Sequence, residues 1–253
     1  MPRLLFLFSA LFLEPRTHLH FTDAVPAAAD RRLMKLSEIL YKEVSPIWES
    51  YLTHPFIREL RDGTLPVEKF RFYMIQDYRY LYDYCKVFAL GIVKASDPDL
   101  MRFFSDFVHF TLNGEMTIHR AYLKRLGASR EEILSTPMSL ANVSYTHYML
   151  EKAYTGGVLE IMVSILACAW SYELIGQDLV KNNPRTLEDP FFGEWVQGYS
   201  SDKYAQETRQ LIDMTDRLGE GISPAQLEEL KEIFVNCSRY EYAFWDMAYK
   251  MEK

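Results

Sequence analysis

The chain has 253 residues, 49% of them hydrophobic, with a formal net charge of −7 and three cysteines. An acidic chain without a basic stripe excludes the usual nucleic-acid binder, and an odd, sparse cysteine set excludes a disulfide framework. It suits a reducing, cytoplasmic setting in which a thiol is kept for chemistry. The size allows one large domain or two small ones. With 17 Tyr and 16 Phe, either a well-filled core or a pocket for a flat ligand is open.

Residues 1–33 differ in character from the rest of the chain. Leu4–Leu13 is an apolar run after Arg3, but charge returns at Glu14 and Arg16, and the Ala27–Ala29 stretch lies far downstream. The run is too short to span a bilayer. The segment reads as a non-native or misassigned leader outside the core, with export by a signal peptide as the alternative.

From Met34 onward, helical periodicity is continuous and no hairpin signal occurs. Pro and Gly punctuation, from Pro46 and Pro55 to Gly219–Pro224, delimits the helices. The spacing predicts helices near 36–53, 66–95, 98–126, 130–134, 138–154, 158–181, 188–198, 201–218 and 224–251. Short connections make neighbours antiparallel. The expected fold class is all-α, one helical bundle over 34–253.

Three carboxylates fall on faces that should pack inward. Asp77 shares its face with Phe70, Tyr73, Tyr80, Leu81, Tyr84 and Phe88. Glu241 shares one with Phe234, Phe244, Trp245 and Ala248. Glu115 shares one with Val108, Leu112, Ile118, His119 and Tyr122. A buried carboxylate must be paired or hydrogen-bonded, and burial raises its pKa, as general acid–base chemistry requires. The bland alternative is an acid satisfied by Tyr hydroxyls or a neighbouring helix, and for Glu115 a local pair with His119 at i+4. Cys168 lies mid-helix. It is either a small core residue or a nucleophile whose activation comes from residues distant in sequence. Cys85 and Cys237 read as core or semi-exposed thiols.

Five short motifs occur in order: His54-Pro55-Phe56 with Gly63-Thr64-Leu65; Gln76-Asp77-Tyr78; Cys168-Ala169-Trp170-Ser171-Tyr172 with Ile175-Gly176; Trp195 to Tyr199-Ser200-Ser201; and Phe244-Trp245-Asp246-Met247-Ala248. Together they resemble the thiaminase II (TenA) family over roughly residues 35–251. The resemblance implies a haem-oxygenase-like bundle, usually a homotetramer, with no cofactor or metal. It implies hydrolysis of 4-amino-5-aminomethyl-2-methylpyrimidine to the hydroxymethyl compound in thiamin salvage, with slower thiamin cleavage. The partner is then a small aminopyrimidine or thiamin, with no nucleic acid or membrane. Carried over by position, Cys168 is the nucleophile and Glu241 the acid managing protons on ring and leaving group. Asp77 binds the aminopyrimidine edge, and Tyr80, Tyr145, Tyr172 and Tyr199 line the pocket. Ala167 departs from the Pro that many members carry before the Cys.

Two other readings compete. Asp77, Glu115, His119 and Glu241 could form a di-iron oxidase site, but Glu115 and His119 stand at i+4 rather than i+3, and no second Glu/His pair appears. A non-catalytic pyrimidine- or thiamin-binding protein of the same fold is the other, opposed by an intact Cys168 beside two buried acids.

Overall fold

A computed structural model describes residues 34–252. The expected leader at 1–33 lies outside the described residues. Eleven α-helices and no strand occur among them: α1 Leu36–Thr53, α2 Pro55–Arg61, α3 Val67–Lys94, α4 Pro98–Phe110, α5 Met116–Arg125, α6 Arg130–Ser135, α7 Leu140–Thr155, α8 Val158–Asn182, α9 Gly193–Ser200, α10 Asp202–Leu218 and α11 Pro224–Lys250. The starts are set by side chains. Asp97, Ser129, Ser139, Ser201 and Ser223 each cap a helix by accepting backbone N–H bonds, a contribution of about 1 kcal/mol each.

The bundle is organised around α8, which packs against α1, α3, α7, α9, α10 and α11. Among the described residues it is the one helix long and apolar enough to cross a membrane, yet 72% of its apolar window is buried inside the protein. Its composition is that of a helix surrounded on all sides. Close approaches hold the neighbours in place. A methyl group added at Gly176 on α8 would fall 2.6 Å from the backbone of Tyr199. Only hydrogen there lets the end of α9 rest on α8.

Three features differ from the sequence expectation. Pro55 starts a helix rather than only ending one: it occupies the first turn of α2, where its missing N–H is not needed, and His54 Nδ1 accepts from Phe56 N–H at 3.1 Å. The helix expected at 188–198 is displaced. A 3₁₀ turn covers Pro184–Glu188, Asp189 accepts from the N–H groups of Phe191 and Phe192, and α9 begins only at Gly193. The helix expected over 98–126 is broken by a π-helical turn at Thr111–Glu115. That wider turn inserts an extra residue and rotates everything after it. Leu112 and Ile118, expected beside Glu115, are 40% and 46% exposed, while Met116 and His119 turn inward.

Candidate active site

Helices α3, α5, α7, α8, α9 and α11 converge on an aromatic interior. Trp245 lies at its centre, stacked on Tyr73 with ring centroids 5.4 Å apart and against Tyr172 at 5.2 Å. Tyr80 stacks on Tyr84 at 5.3 Å, and Tyr172 meets Tyr199 at 4.8 Å. The polar groups embedded here separate into three clusters.

The first is centred on Asp77. Its Oδ2 accepts from His119 Nε2 at 2.6 Å and from the Tyr73 hydroxyl at 3.2 Å. Tyr73 in turn receives Trp195 Nε1 and lies 3.3 Å from the Tyr172 hydroxyl. The other imidazole nitrogen, Nδ1, donates to the Glu115 carbonyl at 3.0 Å. Burial alone would lower the His119 pKa; the Asp77 hydrogen bond and charge, with Glu115 adding, outweigh it and hold the imidazole above its usual value. His119 therefore pairs with Asp77 and not with the Glu115 side chain, unlike the i+4 alternative: its Nδ1 is taken by the Glu115 carbonyl, and the Glu115 carboxylate accepts from Tyr199 instead. The neighbour Gln76 fixes the segment. Its amide donates to the Pro137 carbonyl and accepts from Ser139 N–H, and Asn142 donates back to the Gln76 carbonyl at 2.8 Å.

The second cluster joins Cys168 on α8 to Glu241 on α11. The thiol is half-buried, and Glu241 and Tyr80 are near enough to influence its titration. Glu241 Oε1 accepts from the Tyr145 hydroxyl at 2.8 Å. Desolvation pushes Glu241 up to about 8, against the lowering hydrogen bonds of Tyr145 and Cys168. Burial, reinforced by the Glu241 charge, also drives the Cys168 thiol well above its ordinary value. No Lys or Arg side chain is paired with either group among the described residues, so the protein's own groups keep Cys168 a thiol rather than a thiolate.

Glu115 is the third. It ends the π turn, and its Oε1 accepts from the Tyr199 hydroxyl at 3.1 Å. Desolvation raises it to about 7, opposed by the His119 charge. It faces a cavity of about 340 Å³ whose walls include Phe110, Tyr122, Trp195, Tyr199 and Tyr204. A narrow inner recess continues past Glu115 and Tyr204 to Ala169, the residue after Cys168, and to Thr208. Cys168, Glu241 and Asp77 do not open onto the larger cavity; they stand behind its aromatic wall.

All seven residues singled out by sequence thus lie in or against one interior. Sequence reasoning left Tyr204 out. It closes the recess from α10 and feels the charges of both Cys168 and Glu115. Its position three residues after Ser201, the cap that starts α10, is the only signal it carries. The metal reading finds little support in the donor set: both His119 nitrogens are engaged, and no three His, Cys, Asp or Glu side chains cluster among the described residues as an ion would require.

Comparison with known proteins bears on the family and the fold. Residues 41–251 match the model of the TENA/THI-4/PQQC family. A Helicobacter pylori protein named aminopyrimidine aminohydrolase is 44% identical over 217 residues, covering 86% of this chain and 100% of that protein. The solved TenA homologue from P. horikoshii OT3 superposes with a TM-score of 0.78 at 30% identity, over 86% of this chain and 99% of the other. A Shewanella denitrificans OS217 domain with a heme oxygenase-like fold superposes with a TM-score of 0.67 at 20% identity, over 87% and 94% of the two chains. At that identity the likeness supports the fold alone, which is the all-α, haem-oxygenase-like class expected.

Proposed function

Because the chain belongs to the TENA/THI-4/PQQC family, we propose that it is an aminopyrimidine aminohydrolase acting in thiamin salvage. It replaces the exocyclic amine of 4-amino-5-aminomethyl-2-methylpyrimidine by hydroxyl, and cleaves thiamin more slowly. The observation that carries the reading is the placement of Cys168 beside Glu241 inside an aromatic chamber that also holds Asp77. The 44% identity to a protein of that name supports the substrate class.

In this reading the ring slides between the aromatic faces, and Asp77 accepts from its 4-amino group or a protonated ring nitrogen. Cys168 Sγ bonds to the ring carbon beside the 5-methylene, and the thiol proton passes through Glu241 to the ring. The C–N bond then breaks with its electron pair on nitrogen, and ammonia departs. Water adds to the exocyclic carbon and gives up a proton to Glu241. Finally the ring–sulfur bond breaks with its pair on sulfur, which takes back a proton. One hard displacement becomes several easier steps.

The raised pKa values of Cys168 and Glu241 fit this sequence rather than oppose it. Two anions side by side in a dry pocket repel, so each stays protonated until a cation arrives. An aminomethyl or thiazolium group supplies that positive charge. The substrate itself thus switches on the thiol, which between turnovers is protected from stray alkylation and oxidation. Assembly as a homotetramer belongs to the same proposal and is read by light scattering. The decisive test is direct: the purified protein, incubated with the aminomethylpyrimidine, releases ammonia and hydroxymethylpyrimidine in equal amounts. Substrate that stays intact in that assay overturns the catalytic reading in favour of a binding protein.

A further inference from the structure

Of the three carboxylates in the interior, two have their work described by their partners. Asp77 is held by His119 and Tyr73, and Glu241 accepts from Tyr145 and lies where it acts on the Cys168 thiol. Glu115 is different. It takes a single hydrogen bond, from Tyr199, and pairs with no Lys, Arg or His side chain among the described residues. The other acids of the cavity wall are already matched: Glu194 by Arg125 and Glu207 by Lys203. Glu115 is the last residue of the π turn, a rare backbone form often found at functional sites, and it lines the cavity.

The surroundings of Glu115 are aromatic. Phe110, Trp195, Tyr199 and Tyr204 stand around the same space; the Lys203 ammonium already lies 4.6 Å from the Phe110 ring, which leaves Trp195, Tyr199 and Tyr204 for a guest. A carboxylate set among ring faces is the chemistry that recognises an organic ammonium, by charge on one side and ring quadrupoles on the others. The inner recess adds an independent sign. Thr208 lines it together with Glu115, and the buried Thr208 hydroxyl has no hydrogen-bond partner, as expected of a group that waits for a polar guest.

We propose that Glu115 and the aromatic rings around it form an ammonium site, which binds the cationic substituent on the exocyclic methylene of the substrate and so determines specificity for cationic leaving groups. The identity of the natural guest rests on the function proposed above; the preference for a cation does not. Glu115 lines both the cavity and the recess that includes Ala169, the residue after Cys168, and its charge acts on the thiol. Its carboxyl, raised to about 7, ionises more readily beside a bound cation, its proton passing to water, and the resulting charge pair makes neutral analogues poor competitors.

Two probes of similar shape isolate the cation from the pyrimidine: benzylamine, protonated at neutral pH, and benzyl alcohol. Trp195 lies in the cavity wall, so its fluorescence reports both. The expected result is that the full chain binds benzylammonium more tightly than the alcohol, and that Glu115→Gln weakens the ammonium at least about tenfold while leaving the alcohol unchanged. Equal losses for both probes, or none for either, overturn the proposal. If Glu115→Gln melts well below the parent, Glu115→Asp provides the second variant: it keeps the negative charge, and the proposal requires that the preference for the ammonium over the alcohol survive, its loss in a folded Glu115→Asp protein overturning the site. A wild-type protein that shows the Glu115-dependent preference but releases no ammonia from the aminopyrimidine keeps this site and removes the catalytic reading. Turnover without any cation preference does the reverse.

Discussion

The two walls of the interior are built on opposite principles. Around Asp77 the polar groups are linked before anything binds: imidazole and phenol converge on one carboxylate, the Trp195 indole donates to that phenol, and Gln76 ties the segment to the start of α7. Around Cys168 the thiol and Glu241 share a proton-rich, dry environment with no cation to settle them. On the proposed function the first wall is arranged in advance to fix a ring in one orientation, and the second is kept idle. The difference then teaches that recognition and reactivity are separated in this pocket, with a cationic guest to connect them.

The largest break comes at the idle wall. Cys168→Ser is expected to lower turnover at least about 10³-fold while leaving substrate affinity close to that of the parent, since the hydroxyl is a far poorer nucleophile of nearly the same size. Stopped turnover with retained binding, seen by calorimetry, supports covalent catalysis; near-normal kcat ends it. Glu241→Gln keeps the shape but cannot relay the proton, and kcat should fall by roughly 10²–10⁴ on both the aminomethylpyrimidine and thiamin. A loss confined to one substrate would show that Glu241 serves the leaving group instead of the ring.

At the prearranged wall the effect is smaller and of another kind. Asp77→Asn removes a charge-assisted contact worth roughly 1.5–3 kcal/mol, so KM should rise more than kcat falls. The same change removes the group that holds His119 up, and its imidazole pKa, followed by NMR, should drop. An unmoved pKa would mean that Asp77 does not govern His119.

The smallest effect is on stability. Glu115 and Glu241 have folded-state pKa values of about 7 and about 8, above the ordinary 4.5, and His119 is also raised. All three groups bind more protons folded than unfolded, so their contribution is present at low pH and lost as pH rises through the folded values. The free protein should therefore lose melting temperature between about pH 5 and 8. Glu241→Gln should flatten that slope, and a variant with the parent's slope would argue against a buried, raised Glu241.

Most of the helices were legible because their ends carry chemistry: Ser129, Ser139 and Ser223 are caps, and Pro98 and Pro224 sit in first turns. Inward acids were legible because Asp77 and Glu241 interrupt aromatic faces. The π turn was not, since one inserted residue leaves no mark on composition. The pattern through Leu112 and Ile118 looked like a continuous face until the turn rotated it. The partnership of His119 with Asp77, 42 positions away, was hidden for another reason, since only the packing of α5 on α3 brings the two together. The thiol's surroundings were equally hidden, because Tyr80, Tyr84, Tyr204 and Glu241 reach it from three other helices.

The position of α8 has a consequence for how the protein is made. Its apolar stretch, with mean hydropathy 1.7, emerges from the ribosome before α9, α10 and α11, three of the helices that cover it, have been synthesised. Until α11 docks, the nascent chain presents a greasy rod with Cys168 on it and no Glu241 to meet it. Synthesis order alone thus keeps the thiol without its proton partner until the last helix arrives, and marks this interval as the one in which a chaperone would be most useful.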